Sequence, residues 1–166
     1  ASIKCLEQAL AVKPNYAEAH YNFGNVLKEL RQLEAAVEHY LQALEFKPDF
    51  AEAHSNLGVA LKELGQLDAM VHHLEQALAI KPNLAEGHNN LGNALTDLDQ
   101  LDAAVKSFEK ALTLNPDYAY AHNNIGVTLK ELDRLDEALV SYERAYYLKP
   151  EIDFLLGGLL DTKMHL

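Results

Sequence analysis

The prolines of this chain stand at Pro14, Pro48, Pro82, Pro116 and Pro150, each 34 residues after the one before. No other feature restricts the fold so tightly. Proline lacks an N–H and disfavours helix at the residue preceding it, so each beat is a place where a helix must stop. The text between beats also repeats: "AEAHYNFGNVLKEL" from Ala17, "AEAHSNLGVALKEL" from Ala51, "AEGHNNLGNALTDL" from Ala85 and "AYAHNNIGVTLKEL" from Ala119. Small residues keep the same time at Gly24, Gly58, Gly92 and Gly126, and at Ala9, Ala43, Ala77, Ala111 and Ala145. Large ones recur at Leu6, Tyr40, Leu74, Phe108 and Tyr142.

Within one copy the apolar spacing is helical. From Ala51, residues His54, Leu57, Gly58, Leu61 and Leu64 fall on one face at steps of three and four. A second helix is expected from about Asp68 to Ile80, with Val71, Leu74, Ala77 and Leu78 facing inward. Between them Gly65 suits the left-handed conformation that closes a helix; Asp99 and Asp133 tolerate it at the equivalent places, Arg31 less easily. Each copy is therefore a helical hairpin. Its Gly and Ala positions let two helices approach closely, and the large residue one turn away fills the neighbouring space. One hairpin cannot bury its apolar face alone, so the copies must stack into a solenoid.

This pattern of spacing, Gly, Ala, aromatic and Pro resembles the tetratricopeptide repeat family over residues 1–150. The resemblance implies an all-α, right-handed superhelical solenoid. The expected organisation is the second helix of a truncated repeat over 1–16, repeats over 17–50, 51–84, 85–118 and 119–150, and a capping or linker helix over 151–166. Two departures stand out. His20, His54, His88 and His122 occupy the place where the family often has Trp, and Met70 stands where the other copies have Ala36, Ala104 and Ala138. An oversized core residue costs about 1–3 kcal/mol if the site cannot adjust, so the second repeat is expected to widen locally. The four histidines read as packing residues, because helices about 8–10 Å apart cannot converge on a metal. His72 and His73, adjacent on a helix, are expected to point apart. Neither a metal nor a cofactor is implied.

Asn22, Asn56, Asn90 and Asn124 recur at one place on the first helix, and the resemblance implies that first helices line the concave wall. Helical geometry puts Tyr21, Asn25, Ser55, Val59, Asn89, Asn93, Asn123 and Val127 beside them. Asn is a poor helix-interior residue, so its retention asks for a reason. Local capping or hydrogen bonding is one. The other is a ladder of amides, each offering donors and an acceptor to a peptide backbone. Rungs about 8–10 Å apart match about three residues of extended chain, which gives an extended ligand of about 9–12 residues read with broad specificity. Tyr21 and Tyr120 are either groove contacts or inter-repeat packing.

Charge narrows the partner. The chain carries 25 acidic and 14 basic residues, a formal net charge of −11, which disfavours nucleic acid and anionic membrane surfaces. Groove positions hold Glu18, Glu52 and Glu86, and the cations Lys28, Lys62 and Lys130 are each followed by Glu. The basic clamp by which chaperone-binding members of the family hold a C-terminal carboxylate is therefore not expected. The Asn ladder itself resembles the repeat arm of O-linked N-acetylglucosamine transferases. The tail "LKPEIDFLLGGLLDTKMHL" (Leu148 to Leu166) resembles the junction to the glycosyltransferase domain in bacterial members.

The lone cysteine, Cys5, reads as a small buried or half-buried hydrophobe. No apolar run spans a bilayer and no basic-then-apolar leader opens the chain, so a cytoplasmic protein is expected. The start "ASIKCLEQALAVKP" lies mid-repeat and reads as part of something longer. None of the four serines sits in a nucleophile motif, no glycine loop cradles phosphate, and Asp68 and Glu75 read as solvated faces; no reaction is assigned. Two readings stand: a peptide-recruiting arm of a glycosyltransferase, or a scaffold that assembles other proteins or homo-oligomers through exposed terminal helices.

Overall fold

The computed structural model describes residues 3–150 together with Gly158, Leu160, Asp161, Thr162 and Met164. The helix and junction expected at the C-terminus fall mostly outside these residues. Every bounded element among them is an α-helix: α1 (Ile3–Val12), α2 (Ala17–Glu29), α3 (Leu33–Phe46), α4 (Ala51–Glu63), α5 (Leu67–Ile80), α6 (Ala85–Asp97), α7 (Leu101–Leu114), α8 (Ala119–Glu131) and α9 (Leu135–Leu148). They fall into two units, Ala1–Pro82 and Asn83–Leu166. In the first, α2 pairs with α3 and α4 with α5, while α1 packs on α2 and α3 on α4. In the second, α6 pairs with α7 and α8 with α9, joined by α7 on α8.

Hairpin turns are set by one backbone device. At the end of α4, Gly65 takes φ 72°, its N–H donates to the Lys62 carbonyl at 2.9 Å, and the Gln66 N–H reaches the Leu61 carbonyl at 2.9 Å. These two bonds satisfy carbonyls that the helix leaves over. Asp99 and Asp133 adopt the same conformation, and so does Arg31 with φ 61°, despite its side chain. A β-carbon there costs of order 1 kcal/mol, yet the Arg31 and Gln32 N–H groups make the same two bonds, at 3.0 and 2.9 Å. At the other ends, the cap residues Lys47, Lys81, Asn115 and Lys149 precede the periodic prolines, and each cap N–H closes on the alanine four residues back.

Hairpins close on the Gly–large-residue contact. A β-carbon on Gly24 would lie 2.6 Å from Tyr40 Cε1, and one on Gly92 would lie 2.6 Å from Phe108 Cε1. Tyr142 is approached from two sides: a β-carbon on Gly126 would come within 3.0 Å of its ring, one on Gly158 within 2.7 Å. Ala36, Ala43, Ala104, Ala111, Ala138 and Ala145 are fully buried around these rings.

Met70, the oversized residue, is buried at 2% exposure. One turn later stands Leu74 where the other full hairpins carry a ring, and Gly58 has more room, 3.2 Å to Leu74 Cγ. The larger side chain at one position is thus offset by a smaller one at the next, the kind of volume exchange that cores tolerate. Cys5, expected to be buried or half-buried, is exposed. On α1 the inward position one residue later, Leu6, takes the buried place at 6% exposure.

Candidate functional site

In the first unit the recurrent amides form a bonded network. Asn56 Nδ2 donates to Asn25 Oδ1 at 2.8 Å and to Tyr21 Oη at 3.1 Å, which uses both hydrogens of that amide. Asn25 Oδ1 also accepts the Tyr40 hydroxyl at 2.8 Å. Burial raises the Tyr40 phenol above its ordinary pKa, with Tyr21 and Glu29 adding to the effect, so it remains a neutral donor. The chain Tyr40–Asn25–Asn56–Tyr21 therefore runs from the hairpin core to the first-helix surface and ties α4 to α2. Tyr21 also lies against Phe50, ring centroids 4.7 Å apart.

The second unit uses a shorter version. Asn124 Nδ2 donates to Asn89 Oδ1 at 3.1 Å. Asn89 and Asn123 are buried, at 5% and 9% exposure, and through its bond to Asn124 Asn89 serves the packing between α6 and α8 more than an open surface. Asn90, Asn93 and Asn124 are half-buried. Phe108 replaces the tyrosine, so no hydroxyl reaches the amide at Asn93 as Tyr40 reaches Asn25. Thr96 and Thr128 add a further bond across α6 and α8, Oγ1 to Oγ1 at 3.1 Å.

Of the remaining sequence candidates, Asn22 is exposed, Lys28 is half-buried and Lys62 is exposed. Lys130 is paired with Asp161. Tyr120 is exposed, and Lys149 Nζ sits over its ring at 4.7 Å. Glu18 and Glu52 are tied to Lys47 and Lys81 at the ends of their own hairpins. The first-turn backbone amide and then Lys47 hold the Glu18 carboxyl below its usual range; for Glu52, Lys81 acts first and the backbone amide second. Much of the acidity expected along the first helices is thus internally balanced.

Histidine pairs escaped the sequence reading. His20 Nε2 contacts the Pro14 carbonyl at 2.8 Å and His54 Nε2 the Pro48 carbonyl at 3.1 Å. A carbonyl only accepts, so each Nε2 carries the hydrogen, and in the neutral ring each Nδ1 is a lone pair. Those lone pairs face His39 Nδ1 and His73 Nδ1, both at 3.1 Å, so His39 and His73 donate. Centroids 5.4 and 5.3 Å apart place the rings end to end around one shared hydrogen. His72 and His73, expected to diverge, meet edge to face at 5.2 Å. The signal was the 19-residue offset from His20 to His39 and from His54 to His73, which becomes Ser141 opposite His122 in the last full hairpin.

Within each unit, hairpins whose first helices are stitched by side-chain amides form a repeat scaffold. Profiles of the "TPR repeat" family match residues 1–31, 24–65, 60–99 and 92–133, and a "Tetratricopeptide repeat" profile matches 119–152. The chain belongs to the tetratricopeptide repeat family of protein-interaction modules. Similar solved structures include MamA, with TM-score 0.86 at 22% identity over 90% of this chain and 87% of that one. YrrB, described as a TPR protein with an unusual peptide-binding site, superposes with TM-score 0.84 at 24% identity, covering 96% and 82%. PilF of Pseudomonas aeruginosa gives TM-score 0.78 at 22% identity, covering 88% and 67%. At these identities the likeness is one of fold: all-α, a tetratricopeptide solenoid. No curated protein matches the chain. No helix among the described residues is long and apolar enough to cross a membrane.

Proposed function

We propose that the first-helix faces bind a protein segment in extended conformation, with Asn22, Asn56, Asn90 and Asn124 contacting its backbone. The observation that carries this reading is the Tyr40–Asn25–Asn56–Tyr21 network. It holds amides in fixed orientation before any ligand arrives, which lowers the ordering cost of binding. It also sharpens the chemistry. Both hydrogens of Asn56 are committed to α2, so its carbonyl oxygen is the group that meets the ligand, accepting a backbone N–H. Asn25, Asn89, Asn93 and Asn123 support that face, Tyr21 adds an aromatic wall, and Lys28, Lys62 and Lys130 flank it. Each bond contributes a net 0.5–1.5 kcal/mol, roughly, so four give modest affinity with little sequence preference. YrrB, which shares the fold, is a precedent for a peptide-binding site.

The test is a peptide array probed with the chain and with Asn22→Ala, alongside Asn56→Ala/Asn90→Ala/Asn124→Ala. Asn22 is exposed, so its loss reads binding with little structural consequence. Capture of many extended peptides, weakened by both variants at unchanged helicity, supports the proposal. Undiminished capture by both variants removes it and leaves the Asn residues as stitching between repeats.

The narrower assignment, a substrate-recruiting arm of an O-linked N-acetylglucosamine transferase-like protein, draws on the same amides at one place in four repeats. A longer reading frame encoding a sugar-nucleotide-binding domain would support it. A scaffold for protein assembly or self-association is the reading to adopt if peptides fail to bind.

A further inference from the structure

A cavity of about 280 Å³ opens in the second unit between α7, α8 and α9, and it shares no residue with the amide face. Its floor is apolar: Val105, Ile125, Leu129 and Val140. Its rim carries Glu109, Arg134, Glu137 and Ser141. The volume lies just below the span of about 300–1,000 Å³ typical of drug-sized ligands, which suits one long side chain.

The first unit carries larger side chains at two of these places. The residue 102 positions before Ile125 is Phe23, and the one 102 before Ser141 is His39. Those two rings lie against one another with centroids 4.3 Å apart, where Ile125 and Ser141 stand in this hairpin. In the next hairpin His73 stands at the same place. Ser141 replaces the imidazole with a hydroxyl, and that hydroxyl turns back to the Glu137 carbonyl at 3.0 Å.

On the rim, the Arg134–Glu137 pair is particular to this hairpin: the equivalent positions hold Gln32, Gln66 and Gln100, and Ala35, Ala69 and Ala103, whereas Glu109 has equivalents in Glu7 and Glu75. Arg134 donates through Nε and Nη2 to the two oxygens of Glu137, both at 2.7 Å, a bidentate pair that satisfies both charges. Glu109 and Asp102 act on Arg134 only through space, so three carboxylates surround one guanidinium. An occupant complementary to such a site has an aliphatic stem for the floor and a positive head for Glu109.

We propose that this cavity is a second docking site, taking the side chain of a lysine or arginine presented by a partner protein. The stem lies on Val105, Ile125, Leu129 and Val140; the cation sits at Glu109, beside the closed Arg134–Glu137 pair. Phe23 and His39 occupy the equivalent places in the first hairpin, so bulky groups there are compatible with the fold.

The experiment is an amide-shift NMR titration with N-acetyl-lysine methylamide, N-acetyl-arginine methylamide, N-acetyl-norleucine methylamide and N-acetyl-glutamate methylamide. The expected result is saturable shifts at Val105, Ile125, Leu129 and Val140 with a cationic probe. Affinity for it exceeds that for the norleucine probe by about fivefold, the size of one screened charge pair, and the glutamate probe does not bind. Whichever of lysine and arginine binds more tightly names the partner's residue. Ser141→His should abolish the shifts while helicity is retained, and Glu109→Leu should reduce the cationic preference to parity with norleucine. Equal binding of all four probes, or binding to Ser141→His as tight as to the parent, overturns the proposal. So does the absence of any saturable shift with both cations.

Discussion

Substituting Gly92 by Ala sets two effects of opposite sign against each other. Ala is intrinsically better in a helix interior than Gly by about 0.5–1 kcal/mol, so on propensity alone the variant is stabilised. Packing opposes this. The new methyl would stand 2.6 Å from Phe108 Cε1 and 2.7 Å from both Cδ1 and Cζ. Phe108 is 1% exposed among Ala104 and Ala111, both fully buried, so its ring has nowhere to swing. Overpacking of this kind costs about 1–3 kcal/mol, and the net expectation is a loss centred on about 1 kcal/mol and reaching at most about 2.5. For a chain of 166 residues that corresponds to a fall in melting temperature of roughly 2–4 °C per kcal/mol, measurable by circular dichroism. Phe108→Leu in the same chain should recover most of the loss, because Leu74 gives Gly58 a 3.2 Å gap where the ring leaves 2.6 Å. A melting temperature for Gly92→Ala at or above that of the parent would refute the reasoning. So would failure of Phe108→Leu to relieve the loss.

Other outcomes follow from the same geometry. Tyr40→Phe keeps the ring and removes the hydroxyl that Asn25 accepts, so it should cost about 0.5–1.5 kcal/mol in urea unfolding and weaken peptide capture; Phe108 shows that the hairpin accepts the shape. Gly65→Ala meets no atom within 4 Å yet sits at φ 72°, so its cost, about 1 kcal/mol, should be pure backbone strain. Burial lowers the His39 and His54 pKa values and pushes His73 down to about 4. The unfolded chain then binds the more protons below its ordinary histidine pKa of about 6.5, so stability is complete above that value and falls as pH drops toward 4. A melting series from pH 7.5 to 4.5 should show this slope, and His73→Ser, the residue found at Ser107 and Ser141, should flatten it.

Most of the fold was legible because it is written periodically. A proline every 34 residues, Gly opposite a large residue and alternating helical stripes follow from local rules, and local rules act on residues near in sequence. The second helix expected from Asp68 begins one residue earlier, at Leu67. What escaped notice depends on pairs far apart along the chain. Cys5 and Leu6 are neighbours in sequence, but only the packing of α1 on α2 makes one exposed and the other buried. His54 and His73 looked like separate residues until the hairpin brought their Nδ1 atoms to 3.1 Å.

The amides show the division most clearly. Sequence alone determined that each first helix carries Asn at one register position, because helical period and repeat length together place residues 34 apart on equivalent faces. Only the tertiary structure decided what those amides do first: Asn56 spends its hydrogens on Tyr21 and Asn25, Asn124 donates to the buried Asn89, and Tyr40 reaches out from the core to orient Asn25. The physical reason is that a hydrogen bond depends on distances of a few tenths of an ångström, and those are set by how hairpins stack rather than by how a helix turns.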